Sequence, residues 1–397
     1  MTEFIEKLRI FSNSPATQLL ELTIKNLEQF TGRFSSEGIK NVFSKTFPSG
    51  EIYCQLPINV RKKNVHIISS FHRPNAFEIK RSIARSDINP DIKAQLIEDC
   101  TLSLEKYLRE LEKICDAARR GGSAGISVYL TYFPDSRQEK KDESRVPISS
   151  KLVLDNIKAS TEPRLRRLGS VDMHAPQIQG MTNYPLDEIQ TIYIFIMHLK
   201  VTSSLQDSIL MLPDAGSYKR YEKIIKKFSL NYAIISKTRS SHGESRVEHY
   251  IGNSPDGKIA VIFDDIIDSG GTILNAIKSA KNLGAKEVRV YTTHGIFSTK
   301  TTRDSSNKVK DFIFAEDKFK DAGVRVYCSD SVPRTDEYRV EHKDWLTQFT
   351  LAPYIANLLY CNESGSSFGK EIAKAQKIAL EGSVDEIKKE LKKFFIY

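Results

Sequence analysis

The sequence predicts an α/β protein built on doubly wound, mainly parallel sheets flanked by helices. Short β-branched runs alternate with stretches of helical periodicity along the chain, which is the pattern of parallel βαβ units. No period of about 20 to 50 residues repeats, which excludes solenoids and propellers. The 397 residues suffice for two or three domains, and 40% hydrophobic with 27% charged residues is the composition of a folded globular chain. In such a fold ligands gather beyond the carboxyl ends of the strands, so chemistry is sought in the residues that follow each apolar run.

Pro15 to Phe30 has the spacing of an amphipathic helix, and Asn64 to Ser69 (NVHIIS) reads as a strand. Arg81 to Cys100 is polar, carries Pro90, and reads as an insertion before the long helix Leu102 to Arg120. Ile126 to Thr131 and Leu168 to Asp172 are further strands. Ile192 to Met197 is the longest apolar run, a buried strand or helix turn far short of the roughly 20 residues a membrane helix needs. Asp207 to Leu212, Tyr232 to Ser236, Lys258 to Phe263, Glu287 to Thr292 and Arg325 to Cys328 continue the strands, with a helix at Thr272 to Leu283. Beyond Ile372, apolar residues at helical spacing with lysines between them form an amphipathic tail helix suited to packing on the body or on a neighbouring subunit.

Fifty-nine basic against 50 acidic residues give a net charge of +9, spread too evenly to select nucleic acid, membrane or polyphosphate. Arg61-Lys62-Lys63, Arg164 to Arg167 and Lys388 to Lys393 read as solvated faces, and without a nucleic-acid motif neither nucleic acid nor membrane is an expected partner. Cys54, Cys100, Cys115, Cys328 and Cys361 are odd in number, scattered and free of CxxC spacing, so buried thiols are expected rather than disulfides or a zinc site. Met1 to Ile10 carries Glu3, Glu6, Lys7 and Arg9, unlike a secretion signal, and a cytoplasmic protein is expected.

The strongest motif begins where Lys258 to Phe263 runs into Asp264-Asp265-Ile266-Ile267-Asp268-Ser269-Gly270-Gly271-Thr272 and a helix follows. Backbone N–H groups near Gly270 and Gly271, with the hydroxyls of Ser269 and Thr272, can converge on a phosphate monoester with the helix dipole behind them. Asp264 and Asp265 at the strand's carboxyl end can accept from two sugar hydroxyls, directly or through magnesium. Phosphate on the loop and a diol on the acids describe a pentose 5-phosphate. Acids that merely cap a helix and glycines that merely turn the chain would not need three acids spaced by two hydrophobic residues after an uninterrupted β-run.

This stretch resembles the ribose-5-phosphate loop shared by type I phosphoribosyltransferases and ribose-phosphate pyrophosphokinases, and further matches favour the pyrophosphokinase family. Phe11-Ser12-Asn13, Phe47-Pro48-Ser49-Gly50-Glu51 with Asn59-Val60-Arg61, and Tyr132 to Lys141 with Ser144 to Ser149 resemble its opening, first hairpin and nucleotide loop. Asp172-Met173-His174-Ala175-Pro176-Gln177-Ile178-Gln179-Gly180, Pro213-Asp214-Ala215-Gly216, Lys237-Thr238-Arg239 and Thr293 to Ser298 follow in the family's order. A transferase would explain only the ribose loop.

The resemblance implies two tandem phosphoribosyltransferase-like domains: residues 8–187 with the insertion near 81–100, residues 188–333 with the ribose-5-phosphate loop, and a returning segment and helical tail at 334–397. It implies transfer of the β,γ-pyrophosphoryl group of Mg-ATP to ribose 5-phosphate, in a homo-oligomer (dimer or hexamer), with ATP bound between the domains. Phe47, Ser49 and Glu51 would meet adenine, Arg137 and Gln138 the nucleotide phosphates, and His174 and Asp214 magnesium. Alone, His174 would be an ordinary structural histidine and Asp214 a turn former. Lys237 and Arg239, in a polar stretch, would close over the reacting phosphates as the catalytic cations. Asp264, Asp265, Asp268, Ser269, Gly270, Gly271 and Thr272 would hold ribose 5-phosphate, and Arg61, Ser329 and Ser331 fall at regulatory positions. Ser49 replaces an acidic or amide residue, Asn183 an aspartate and Ser217 a glycine, and Asp135-Ser136 stand in place of Tyr-Ala. A non-catalytic regulatory relative and a phosphoribosyltransferase are the alternatives.

Overall fold

The computed structural model describes residues 8–31, 38–101, 103–236 and 249–395. They fall in two compact units: Met1–Thr191 with Asp330–Thr335 and Thr350–Ala373, and Ile192–Ser329 with Asp336–Phe349 and Lys374–Tyr397. Of the chain after residue 333, Thr350–Ala373 belongs to the first unit and Asp336–Phe349 and Lys374–Tyr397 to the second.

The first unit is built on β1 (Leu8–Ser12), β2 (Ile39–Asn41), a hairpin of β3 (Phe43–Thr46) and β4 (Ile52–Gln55), β5 (Asn64–Ser69), β6 (Gly125–Leu130), β7 (Leu165–Val171) and β8 (Leu186–Ile189). Its six-stranded sheet runs β2-β1-β5-β6-β7-β8 with every pairing parallel. Parallel strands are covered on both faces, so β5 and β6 are buried along nearly their whole length rather than on alternate residues, His66 and Ser127 included. The helices Ser103–Arg120 and Ser149–Thr161 supply Leu111, Ile114, Val153 and Ile157 to the core beside Val65, Ile67, Ile126 and Val128. Arg81 to Cys100 folds into the end of the helix Ala76–Arg85 and most of the helix Pro90–Thr101.

The helix Ala352–Ser364 packs on Thr17–Thr31 and brings a carboxylate into this unit's interior. Glu363 Oε1 lies 2.9 Å from His66 Nε2 and accepts from Arg166 Nη1 at 3.0 Å, while Oε2 accepts from Asn64 Nδ2 at 2.7 Å. His66 Nδ1 meets the Tyr129 hydroxyl at 2.9 Å, and that oxygen accepts from Asn362 Nδ2 at 2.8 Å. The Tyr129 hydroxyl and the Glu363 carboxylate thus hold the two ring nitrogens of His66.

The second unit holds β9 (Ser208–Leu212), β10 (Tyr232–Ser236), β11 (His249–Gly252), β12 (Ile259–Ile267), β13 (Glu287–Gly295), a hairpin of β14 (Thr299–Arg303) and β15 (Val309–Phe314), β16 (Arg325–Ser329) and β17 (Leu346–Phe349). The order of its seven-stranded sheet is β11-β10-β9-β12-β13-β16-β17, parallel except for β10 with β11. Ile192 to Met197 belongs to the helix Ile192–Thr202, buried from Tyr193 to Met197. The tail helix Val384–Leu391 packs against it.

None of the five cysteines is in a disulfide; Cys115, Cys328 and Cys361 are buried and Cys54 and Cys100 half-buried. Among the described residues no helix is long and apolar enough to cross a membrane.

Candidate active site

From β9 the chain passes to β10 on one side and later to β12 on the other, so the strand order reverses between β9 and β12. The crevice at the carboxyl ends of two such strands is where doubly wound folds bind ligands. Two helices start there. Asp214 caps Ala215–Phe228, its Oδ1 accepting from Ser217 N at 2.8 Å and Ser217 Oγ at 3.0 Å. Gly270 precedes Gly271–Asn282.

β12 is longer than its sequence suggests: it runs to Ile267, so Asp264 and Asp265 lie within the strand rather than after it. The reason is one-sided pairing. β13 follows β12 as far as Ile267 opposite Gly295, whereas β9 pairs only Ile259 to Val261. Continuing the β9 register sets Asp264 beside Pro213, which has no N–H to donate. Beyond Val261 β12 is therefore laddered to β13 alone, and the two acids lie in that stretch at the strand's carboxyl end. Arg220, from the helix that Asp214 caps, forms an ion pair with Asp265 and lies 3.8 Å from Asp264. Asp264 Oδ1 accepts from Asp265 N at 2.9 Å. Burial, then the hydrogen bond and charge of Asp265, hold the Asp264 carboxyl above the usual range against the pull of Arg220.

Past the strand, Asp268 accepts from Ser298 Oγ, which ties the loop to the chain after β13. Ser269, Gly271 and Thr272 are exposed at the helix amino terminus, and Gly271 has open space where a Cβ would stand. Gly270 is different. It has φ +76°, and an added Cβ would come 2.6 Å from Phe319 Cε2. Phe319 is fully buried, stacked with Trp345 at 6.3 Å and edge-on to Phe297 at 5.7 Å, so the ring cannot yield. Gly270→Ala should cost about 1–3 kcal/mol from strain and overlap. It should also weaken phosphate binding, which a thermal melt with and without inorganic phosphate measures; equal melting of variant and wild type would show that the loop tolerates the methyl.

The remaining predicted residues are placed separately. In the first unit, Phe47 lies on the β3–β4 hairpin, edge-on to Tyr53 at 6.2 Å with Lys45 Nζ 4.9 Å from its centroid. Ser49 Oγ donates to Glu51 Oε2 at 2.8 Å. Arg137 and Gln138 are exposed in the loop after β6, where Gln138 Oε1 accepts from Ser149 Oγ at 2.5 Å. His174 follows Asp172, a non-glycine residue at φ +30°. That turn is pinned because the Asp172 carboxylate accepts from Thr191 N and Oγ1, while Glu188 Oε1 accepts from Met173 N at 3.0 Å. Burial, and next the charge of Asp172, push the Glu188 carboxyl up.

Of the regulatory positions Arg61 is exposed, but Ser329 and Ser331 are fully buried. Ser329 Oγ donates to Thr293 O at 2.6 Å. Lys237 and Arg239 lie outside the described residues. Among the described residues no group of three or more His, Cys, Asp or Glu gathers as a metal site. Magnesium asks less of a protein, one or two carboxylates with substrate phosphates completing its shell, and the exposed Asp214 suits that. Sequence reasoning missed Arg220, Glu188 and Thr191. Arg220 stands among Lys219, Lys223 and Lys226 and carries no signal of its own.

A family model described as the N-terminal domain of ribose phosphate pyrophosphokinase matches residues 8–160, and one described as the phosphoribosyl transferase domain matches residues 188–330. A ribose-phosphate pyrophosphokinase of Bradyrhizobium diazoefficiens is 33% identical over 63% of this chain and 80% of its own length. One of Brucella melitensis is 31% identical over 68% and 77%, and one of Rhodopirellula baltica 28% over 89% and 95%. The crystal structure of phosphoribosylpyrophosphate synthetase from Mycobacterium smegmatis superposes with a TM-score of 0.69 at 25% identity, covering 91% of this chain and all of that one. With both domain models matched in order and relatives aligned over most of their length, the chain belongs to the ribose-phosphate pyrophosphokinase family.

Proposed function

We propose that the protein transfers the β,γ-pyrophosphoryl group of ATP to the C1 hydroxyl of ribose 5-phosphate, giving phosphoribosyl pyrophosphate and AMP. The observation that carries this reading is the acid pair at the carboxyl end of β12, followed five residues later by a helix amino terminus with exposed Gly271 and Thr272. The helix end and Ser269 and Thr272 take the 5-phosphate; Asp264 and Asp265 take the ribose hydroxyls. The C1 oxygen attacks the β-phosphorus, the bond to the α,β-bridging oxygen breaks, AMP leaves, and the hydroxyl proton passes to solvent. Positioning and charge neutralisation account for most of the rate in such transfers. Arg137, Gln138 and Lys237 bind the nucleotide phosphates, and Arg239 closes on the substrate side. His174 and Asp214 would hold magnesium, which when bound neutralises phosphate charge. Phe47 and Glu51 would face adenine in an oligomer, and light scattering that showed only monomers would remove that part.

Purified protein given Mg-ATP and ribose 5-phosphate should form AMP and phosphoribosyl pyrophosphate in equal amounts by chromatography. Lys237→Ala should lower turnover by about 10²–10³ while ribose 5-phosphate binding changes little, because a closing cation acts on charge that develops during transfer. Comparable loss of both would count against that role. Binding of both substrates with no AMP at any magnesium concentration would leave a regulatory subunit as the better reading.

A further inference from the structure

Arg220 lies on a polar helix where a solvated cation would be unremarkable, yet its guanidinium is directed at the acid pair of the neighbouring strand. Its side chain is 38% exposed and that of Asp265 only 10%, so a surface cation reaches an almost buried anion. Adjacent carboxylates at the end of a buried strand repel each other and lose hydration, and an unpaired pair would turn away from the crevice or neutralise. A guanidinium suits this place better than an ammonium, because its planar fork can serve two carboxylates while remaining charged. Asp264 is anchored from its own strand by the N–H of Asp265, and Asp265 from the helix by Arg220, so the two acids have separate supports.

We propose that Arg220 is the positioning residue of the sugar site, holding Asp265 and, through it, Asp264 in the arrangement that accepts two ribose hydroxyls. The proposal deepens the pyrophosphokinase reading and rests on it. Arg220 does not touch the reacting phosphorus in this assignment, so its loss should appear in sugar binding and not in the transfer step.

The test is steady-state kinetics and calorimetric binding on the full chain with Arg220→Gln and Arg220→Lys. Glutamine should raise KM and Kd for ribose 5-phosphate about tenfold or more, the usual scale for a lost charge-assisted contact, with kcat within about threefold and KM for ATP unchanged. Lysine, which keeps the charge without the fork, should fall between glutamine and wild type. A glutamine protein with wild-type sugar binding, or one that loses kcat at unchanged KM, overturns the proposal. Should the glutamine protein not fold, a lysine protein with wild-type KM and Kd overturns it instead. Wild-type protein that fails to bind ribose 5-phosphate at all removes the pyrophosphokinase reading along with this one, whereas wild-type binding with no effect of either substitution removes only the role of Arg220.

Discussion

Glu363→Ala is expected to destabilise the first unit by about 3–5 kcal/mol, because it leaves His66, Asn64 and Arg166 without the acceptor they share. The Glu363 side chain is 7% exposed and His66 fully buried, so water cannot replace the lost carboxylate without entering the core. Glu363→Gln keeps the shape and one acceptor oxygen but loses the charge, and should cost less than alanine by the packing and hydrogen bonding it retains. A pH signature separates charge from shape. Burial alone would raise this carboxyl, yet the hydrogen bond and charge of His66, then Asn64 and Arg166, hold it at about 2 against an ordinary 4.5. A folded value below the unfolded one means the stabilisation is complete above about pH 4.5 and is lost as the pH falls towards 2. Its depth is up to about 3–4 kcal/mol at roughly 1.4 kcal/mol per unit. Denaturant melts at pH 5 and pH 3 should therefore show a steeper loss in wild type than in the glutamine variant. Equal losses would mean that Glu363 is held by packing and not by its charge.

That network also marks the limit of what the sequence discloses. β5, β6, β9, β12 and β13 are legible because strands covered on both faces are rich in β-branched and other apolar residues, and the phosphate loop because strand, acids, glycines and helix lie consecutively. Glu363 and His66 lie 297 residues apart, and no local pattern announces their pairing. The same holds for Arg220, whose partner Asp265 is 45 residues away. The last four residues of β12 were read as loop because two carboxylates interrupt the apolar run; pairing with β13 alone extends the strand through them. The β14–β15 hairpin is not legible because β14 (TKTTR) is wholly polar, Lys310 and Asp311 interrupt the apolar residues of β15, and the pair belongs to neither main sheet. For the nucleotide and metal residues the resemblance supplied roles that spacing alone could not, since a lone histidine and a capping aspartate are commonplace.

A chain ending at Ala373 should lose most of the stability of the second unit. The tail buries Ala379, Ile387, Leu391 and Phe394 almost completely, and the helix Val384–Leu391 lies on Ile192–Thr202. That inner helix is apolar on nearly every side and cannot face water on one of them. At about 1.5–3 kcal/mol for each large side chain, Ile387, Leu391 and Phe394 together contribute about 5–9 kcal/mol, comparable to the whole stability of an ordinary domain. Polar contacts fix the register: Gln376 Nε2 donates to the Tyr193 hydroxyl at 2.8 Å, and Lys200 Nζ donates to the carbonyls of Ala379 and Leu380 at 2.9 and 3.2 Å, neutralising the carboxyl end of the tail's first helix. The tail also shuts in His198, whose ring stacks on Phe395 at 4.9 Å and meets the Tyr291 hydroxyl at 3.0 Å. Burial, with the charge of Arg289 second, pushes this imidazole down to about 4 from an ordinary 6.5. Calorimetry of the truncated chain should show the second unit melting at least about 10 °C lower or not folding, while the first unit's transition moves little. Where the truncated chain stays folded, the His198 resonance should titrate closer to 6.5 than in the full chain. An unchanged melting profile together with an unchanged His198 titration would mean that the inner helix finds cover elsewhere and that the tail is dispensable for the fold.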